Sequence, residues 1–137
     1  MSPGGGIPAG APLIDRDAPL LFVINASAGA FDPDAKRQVI ETALATAGRK
    51  GELISCRPED LPRVATEAAS QAARRGTAVV AVGGDGSLNT IAQAAHAAGC
   101  AMGVIPYGTF NYFARSHGIP VEADAAARHL LDRKSVV

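Results

Sequence analysis

The residues with the clearest chemical potential form a glycine-rich turn, Gly83-Gly84-Asp85-Gly86, directly after the apolar run Thr77–Val82. Glycine has no Cβ, so such a turn can adopt positive φ and lets a ligand approach the main chain closely. The sequence predicts a helix from about Ser87, and the free N–H groups and dipole at a helix N-terminus attract anions. The pattern therefore predicts a phosphate-binding turn.

Asp85 gives this turn a second property, because a carboxylate next to a phosphate repels it unless a cation stands between them. We therefore expect Mg²⁺, coordinated directly or through water, to link Asp85 to a nucleotide phosphate. The alternative is a tight strand-to-helix turn in which Asp85 only caps the helix. Two other nucleotide motifs do not fit. Gly84–Asn89 has Asn where a dinucleotide fingerprint has its third glycine, and no GxxxxGK[ST] loop is present.

Two more turns rich in small polar residues follow predicted strands, at Asn25–Gly29 and Gly108–Asn111. Ligands of parallel α/β sheets bind beyond the carboxyl ends of the strands. We expect these two turns to meet Gly83–Gly86 at one edge of the sheet, where together they would grip a triphosphate with its divalent ion.

The elements that must position these turns alternate regularly along the chain. Short apolar runs predict four strands, at Leu20–Ile24, Glu52–Cys56, Thr77–Val82 and Ala101–Ile105. Helix start and stop signals predict helices from Pro33 to Gly48 or Gly51, Pro58 to Arg75, about Ser87 to Ala98 and Glu122 to Arg133. Thr109 to His117 is predicted as a short helical segment or a turn. This alternation is typical of an α/β fold with three layers, in which a parallel sheet has helices on both faces.

The composition fits one folded domain and excludes some classes of function. The chain has 137 residues, of which 47% are hydrophobic, and 13 Lys and Arg balance 13 Asp and Glu. Nucleic-acid binding is not expected, because it needs an excess of cations or a stacking surface, and only 4% of the residues are aromatic. Cys56 and Cys100 do not have the spacing of a zinc motif. Met1–Gly10 lacks the features of a signal peptide, so we expect a cytoplasmic protein.

Three segments together resemble the diacylglycerol kinase catalytic domain, which bacterial lipid kinases, sphingosine kinases and ceramide kinases share. Gly83–Asn89 is similar to the GGDG[T/S]xN signature of that family, Pro106–Ala114 to its P-x-GTxN-x-FA segment, and Asn25–Gly29 to its NPx[SA]G turn. NAD kinases and, more loosely, phosphofructokinases share the central motif, whereas its combination with GTxN is more specific to lipid kinases. The resemblance implies a Rossmann-like domain of the NAD kinase/diacylglycerol kinase-like fold over residues 20–137.

The resemblance also implies roles for individual residues around ATP and Mg²⁺. The residues implied to bind the ATP phosphates, with Asp85 holding the metal, are Gly83, Gly84, Asp85, Gly86, Ser87, Leu88 and Asn89. Thr109 would hydrogen-bond the nucleotide, and Asn25 and Ser27 would border the same cleft. Ser55 falls near a position at which relatives use a threonine toward ATP.

Three positions depart from the family pattern. Ser87 stands for the commoner Thr but keeps the hydroxyl, and Ala26 replaces Pro, which loosens the first turn. Tyr112 stands where many members have Asp, so the resemblance assigns it no polar role.

The resemblance divides the chain into two parts. Residues 1–19, rich in Pro, Gly and Ala, are interpreted as a flexible leader, and residues 20–137 as the N-terminal ATP-binding domain of a lipid kinase. Family members have a second, β-rich domain that supplies the catalytic base, and Lys134–Val137 is interpreted as the start of a further strand. We therefore expect no catalytic residue in this chain, and little or no activity from it alone.

The leading hypothesis is the ATP-binding half of a lipid kinase that transfers the ATP γ-phosphate to a lipid hydroxyl, such as that of diacylglycerol. The lipid would bind through the second domain, with transient contact at the inner membrane surface, and an exposed sheet edge would favour a homodimer. Two alternatives stay open. One is an NAD kinase-related enzyme, and the other is a non-catalytic nucleotide-binding module.

Overall fold

The structure is a computed structural model that describes residues 18–26, 33–107, 115–120 and 123–131. Over these residues the strands are β1 Leu20–Asn25, β2 Gly51–Cys56, β3 Ala78–Gly83 and β4 Ala101–Pro106. The helices are α1 Pro33–Ala47, α2 Leu61–Arg75, α3 Asp85–Ala98 and α4 Ala123–Leu131. A short 3₁₀ turn, Pro58–Asp60, leads into α2.

The four strands form one sheet in the order β2-β1-β3-β4, and every neighbouring pair is parallel. In the register of this sheet, Phe22 lies between Leu53 of β2 and Val80 of β3. The central strands are buried on both faces, which explains why their sequences are continuous apolar runs and do not alternate with polar residues. The predicted parallel α/β sheet is confirmed.

Helices cover both faces of the sheet, so the molecule has the three predicted layers. Leu21 and Val23 of β1 pack into the core beneath α2 and α3. Phe22 and Ile24 pack into the opposite core, beneath α1 and α4. The helices α2 and α3 approach the sheet closely because small residues face it, including the buried alanines Ala65, Ala68, Ala69, Ala72 and Ala95.

Apart from the start of α2, the ends of the described elements lie within one or two residues of the predicted positions. Three helices end where glycine adopts the left-handed conformation, with φ of 64° at Gly48, 68° at Gly76 and 73° at Gly99. Two starts are corrected, because α3 begins at Asp85 and not at Ser87, and α2 begins at Leu61, after the 3₁₀ turn, and not at Pro58. The leader, most of the helical segment or turn predicted at 109–117, and Lys134–Val137 lie outside the described residues.

Gly103 is a close contact point between β4 and α4. A Cβ at Gly103 would overlap the Leu130 side chain, which is buried in the α1–α4 core. Gly103→Ala is therefore expected to displace α4 and to lower the free energy of unfolding by about 1–3 kcal/mol. Chemical denaturation measures this loss. Combined with Leu130→Ala, the substitution is expected to destabilise by less than the sum of the two single losses. Strict additivity would contradict the proposed contact.

Candidate functional site

The order of the strands creates a crevice at the carboxyl ends of β1 and β3. From β1 the chain passes through α1 to β2 on one side, and from β3 it passes through α3 to β4 on the other. Because α1 and α3 pack on opposite faces, they leave the sheet in opposite directions above these two strands. Open α/β sheets bind their ligands at such a topological switch point.

A hydrogen bond crosses this switch point and joins the first polar turn to the central one. Asn25, the last residue of β1, donates from Nδ2 to the Ser87 Oγ in the first turn of α3, at 2.7 Å. Ser87 is buried, with 7% of its surface exposed. The Ser87 hydroxyl therefore fixes the spacing between the carboxyl end of β1 and the N-terminus of α3.

Loss of this hydroxyl should loosen the crevice. Ser87→Ala leaves the half-buried Asn25 amide without the Ser87 acceptor, so we expect the free energy of unfolding to fall by about 1–2 kcal/mol. Ser87→Thr keeps the hydroxyl and is the matched control, which should retain most of the stability. Thermal or urea denaturation of both variants checks the prediction, and equal losses in the two would show that the hydrogen bond contributes little.

Glycine is needed at position 83 because it leaves room for this contact, and not because its backbone is left-handed. A Cβ at Gly83 would lie 3.0 Å from the Ser87 Cβ and 3.2 Å from its Oγ. The expectation of positive φ in the central turn is wrong, because Gly84 is extended, with φ −85° and ψ −178°. Among the described residues, the glycines with positive φ are Gly48, Gly76, Gly99 and Gly118.

The N-terminus of α3 lies beside the crevice, where Ser87 contacts the end of β1. Its N-cap is Gly84, which has no side chain to hydrogen-bond to the first N–H groups. The Gly84 carbonyl accepts the first helical hydrogen bond, from the Leu88 N–H at 2.9 Å, so the helix is regular from its first turn. The N-cap residue itself therefore does not compete with an anionic ligand for the first N–H groups and the positive end of the helix dipole.

Asp85 lies in the first turn of α3 and is partly exposed, so it is not the N-cap residue of the alternative interpretation. Over the residues that the structure describes, no group of three or more His, Cys, Asp or Glu is placed to hold a metal ion. A single carboxylate nevertheless fits Mg²⁺, which usually takes one or two protein carboxylates and completes its shell with water and substrate phosphates. A magnesium ion here would therefore depend on the phosphates of a ligand.

The third polar turn starts at the same edge of the sheet. The N–H of Tyr107, directly after β4, donates to the Gly83 carbonyl at 2.8 Å. The end of β4 is thereby joined to the end of β3. Thr109 and the rest of that turn lie outside the described residues, as does Ser27, and their implied roles stay predictions.

Ser55 lies on the outer side of the crevice, where β2 pairs with β1. It is level with Ile24 in the register and accepts a hydrogen bond from the Arg37 Nη1 at 3.3 Å. A pocket of about 290 Å³ opens beside it, and Ala26, the residue after β1, contributes to its wall. Cys56 also lines this pocket, and burial raises the pKa of its thiol, with a further contribution from Asp60.

The remaining residues of the central motif differ in what they can offer a ligand. Leu88 is fully buried in the core beneath α2 and α3, so its side chain serves packing. Gly86 is exposed, and apart from its chain neighbours and the backbone of its own helix no described atom lies within 4 Å of the place where a Cβ would stand. Asn89 is exposed on α3. Only Gly86 and Asn89 of these three can present their surface to solvent.

Lys36 is a site residue that the sequence analysis missed. It is only 5% exposed, and its Nζ donates to the Asn25 carbonyl at 3.1 Å and lies 5.5 Å from the centre of the Tyr107 ring. Burial lowers the pKa of this amine. A signal was present, because Lys36 precedes Ile40 and Leu44 at intervals of four and so shares their buried helix face.

Comparison with known proteins assigns the class of protein. A sequence model of the diacylglycerol kinase catalytic domain matches residues 19–137, and the chain belongs to this family. A probable lipid kinase YegS-like of Pseudomonas aeruginosa strain PAO1 is 36% identical over 126 residues, which cover 88% of this chain and 38% of the relative. A protein of the same name from Cronobacter sakazakii is 36% identical over 83 residues, 56% of this chain and 26% of the relative.

Solved structures agree on the fold. A diacylglycerol kinase from Bacillus anthracis str. Sterne superposes with a TM-score of 0.71 and 23% identity over 84% of this chain and 40% of its own. A putative diacylglycerol kinase from the same organism gives a TM-score of 0.69 and 22% identity. The fold is therefore that of the diacylglycerol kinase-like enzymes, with the NAD kinase-like architecture. The matched part of the chain spans 38% of the Pseudomonas relative, 26% of the Cronobacter relative and 40% of the first Bacillus structure.

Proposed function

We propose that this chain is the ATP-binding half of a lipid kinase, which transfers the γ-phosphate of ATP to a lipid hydroxyl. The hydrogen bond between Asn25 and Ser87 is the observation that carries the proposal, because it holds the N-terminus of α3 at the switch point of the sheet. Membership of the diacylglycerol kinase family favours a lipid acceptor over the ribose hydroxyl that an NAD kinase would use.

In this proposal the phosphates of ATP bind at the N-terminus of α3. The N–H groups after Gly84 would donate to phosphate oxygens, and Gly86 would allow the ligand to approach the main chain closely. Asp85 would hold Mg²⁺, which neutralises phosphate charge when it is bound. Ser27 and Thr109, with the turns that carry them, would approach from the ends of β1 and β4.

The nucleoside would extend toward Ser55. The pocket beside Ser55 shares Ala26 with the end of β1, so it adjoins the crevice directly. Its rim carries charges of both signs, with the Arg57 Nε 3.4 Å from Asp60 and the Arg63 Nη2 3.9 Å from the same carboxylate. Such a rim offers both donors and acceptors to a heterocycle, and its volume of about 290 Å³ suits a small ring system.

Phosphoryl transfer also requires a base and an acceptor in line with the γ-phosphate. We propose that the remainder of a full-length family member supplies both, as the coverage of the relatives suggests. The chain alone should therefore bind MgATP without turning it over.

The lipid, contact with a membrane surface and a homodimer are parts of the same proposal. Over the described residues, none of the helices has the length and hydropathy needed to cross a bilayer.

Two measurements on the 137-residue chain test the proposal. Isothermal titration should detect MgATP binding, and transfer of labelled phosphate from ATP to diacylglycerol in mixed micelles should stay at background. Absence of MgATP binding would refute the nucleotide site. Robust phosphorylation of diacylglycerol by the chain alone would refute the proposal that catalysis needs the remainder of a full-length family member. The same transfer assay on a full-length member, with NAD as the competing acceptor, separates the lipid kinase hypothesis from the NAD kinase alternative. A full-length member that binds ATP but phosphorylates neither acceptor would support the non-catalytic module.

A further inference from the structure

Lys36 occupies an unusual place for a lysine, on the side of α1 that packs against the sheet. It shares this face with Ile40 and Leu44, and it is as well buried as they are, with 5% exposure. A buried ammonium group is unfavourable unless its donors are used, and burial lowers the pKa of Lys36 accordingly. Its retention in the core layer therefore calls for an electrostatic reason.

The contacts of the ammonium group supply that reason, because they reach the ends of two different strands. The Nζ donates to the carbonyl of Asn25, at the end of β1, at 3.1 Å. It also lies 5.5 Å from the centre of the ring of Tyr107, the residue after β4. Tyr107 is itself joined to Gly83, at the end of β3, through its N–H. One side chain thus connects the carboxyl edge of the sheet from β1 to β4.

This edge presents a problem to any anionic ligand. The carboxyl ends of parallel strands expose carbonyl oxygens, which carry partial negative charge, and the Asn25 carbonyl stands at the switch point itself. A cation hydrogen-bonded to that oxygen neutralises it and adds positive potential on the α1 side of the crevice. The N-terminus of α3 adds positive potential on the opposite side.

We propose that Lys36 is a positioning residue of the phosphate site. Its ammonium group holds Asn25, at the end of β1, and Tyr107, after β4, in place. It also offsets the negative partial charge of the carboxyl edge, where a triphosphate would bind. The inference has two halves, the fixing of the two strand ends and the effect on a bound triphosphate, and only the second half rests on the proposed nucleotide function. The first half, the fixing of the two strand ends, holds with or without a nucleotide. The two halves can therefore be tested by separate measurements.

Amide hydrogen exchange on the unliganded chain tests the first half. In Lys36→Met, exchange of the Ala26 and Tyr107 amides should accelerate about tenfold, because each amide hydrogen-bonds across strand ends that Lys36 holds. The amides of Thr77 and Cys100 hydrogen-bond to carbonyls in the last turns of α2 and α3, at the opposite edge of the sheet, and should keep their rates. Unchanged exchange at Ala26 and Tyr107, or equal acceleration at all four amides, would overturn the positioning role.

Titration with MgATP and with adenosine tests the second half. Lys36→Met should weaken MgATP binding about tenfold and leave adenosine binding unchanged, because adenosine has no phosphate. Lys36→Arg should recover most of the loss, and Lys50→Met, which removes an exposed cation near the other edge, should change the affinity less than about twofold. Unchanged MgATP affinity in Lys36→Met would overturn this half. A wild-type chain that binds no MgATP would refute the nucleotide site and this half together, and the exchange rates would still decide the first half.

Discussion

Gly83→Val should abolish most of the affinity of this chain for MgATP, with a loss of about a hundredfold. The valine Cβ would stand 3.0 Å from the Ser87 Cβ, closer than ordinary packing allows, and its two methyl groups need further space. The first turn of α3 must move, and the hydrogen bond from Asn25 to Ser87 is lost. The N–H groups proposed to hold the phosphates then point elsewhere. Isothermal titration measures the loss.

The same substitution also destabilises the fold, by about 1–3 kcal/mol, so the design needs a control for stability. Val82→Ala provides it, because Val82 precedes Gly83 but faces the opposite core, beneath α1 and α4. It should destabilise to a comparable degree, by about 1–3 kcal/mol, and keep its MgATP affinity. If Val82→Ala loses binding as severely as Gly83→Val, general destabilisation and not displacement of Ser87 is the cause.

Asp85→Asn should weaken the binding of ATP when Mg²⁺ is present but not when Mg²⁺ is absent. With Mg²⁺, the affinity for ATP should fall about tenfold or more, because the proposed metal ligand loses its charge. With EDTA in place of the metal, the variant should bind ATP at least as well as the wild-type chain, since the carboxylate no longer repels the phosphates. Paired titrations with and without Mg²⁺ measure both changes.

Asp34→Asn is the matched control, because Asp34 is the acidic residue in the first turn of α1 and the substitution changes the net charge equally. It should leave both affinities within about twofold of the wild-type values. The helix itself should lose only about 0.3–1 kcal/mol in Asp85→Asn, since an acidic residue in the first turn is modestly favourable. Equal losses of affinity in the presence and absence of Mg²⁺ would argue against the metal role.

The sequence predicts the strands and the ends of α1, α2 and α3 well because their signals are local and strong. The apolar runs of β1 and β3 are continuous because both faces of these strands are covered, and glycines at 48, 76 and 99 end three helices in the left-handed conformation. The start of α3 is less accessible to prediction. Gly84 serves as its N-cap through an extended backbone, and glycine leaves no side-chain signal for a cap.

The site is only partly predictable for a different reason, which is that its geometry depends on long-range contacts. The spacing of the motifs indicates that the ends of β1 and β3 meet, but not that Gly83 is needed to make room for Ser87. Lys36 was missed because a lysine on a helix is usually exposed, and its spacing from Ile40 and Leu44 was outweighed by that expectation until the packing of α1 showed it to be buried. The roles of Ser27 and Thr109 stay predictions.

The position of β1 in the sheet has a consequence for how the chain folds during synthesis. β1 leaves the ribosome before the other described strands, yet Phe22 pairs with Leu53 and with Val80, both much later in the chain. Its apolar residues stay without their partners until translation has passed β3. Pairing at such separation is slow and leaves hydrophobic segments open to aggregation. Refolding from denaturant should therefore be sensitive to protein concentration, and nascent β1 is a natural segment for a chaperone to shield.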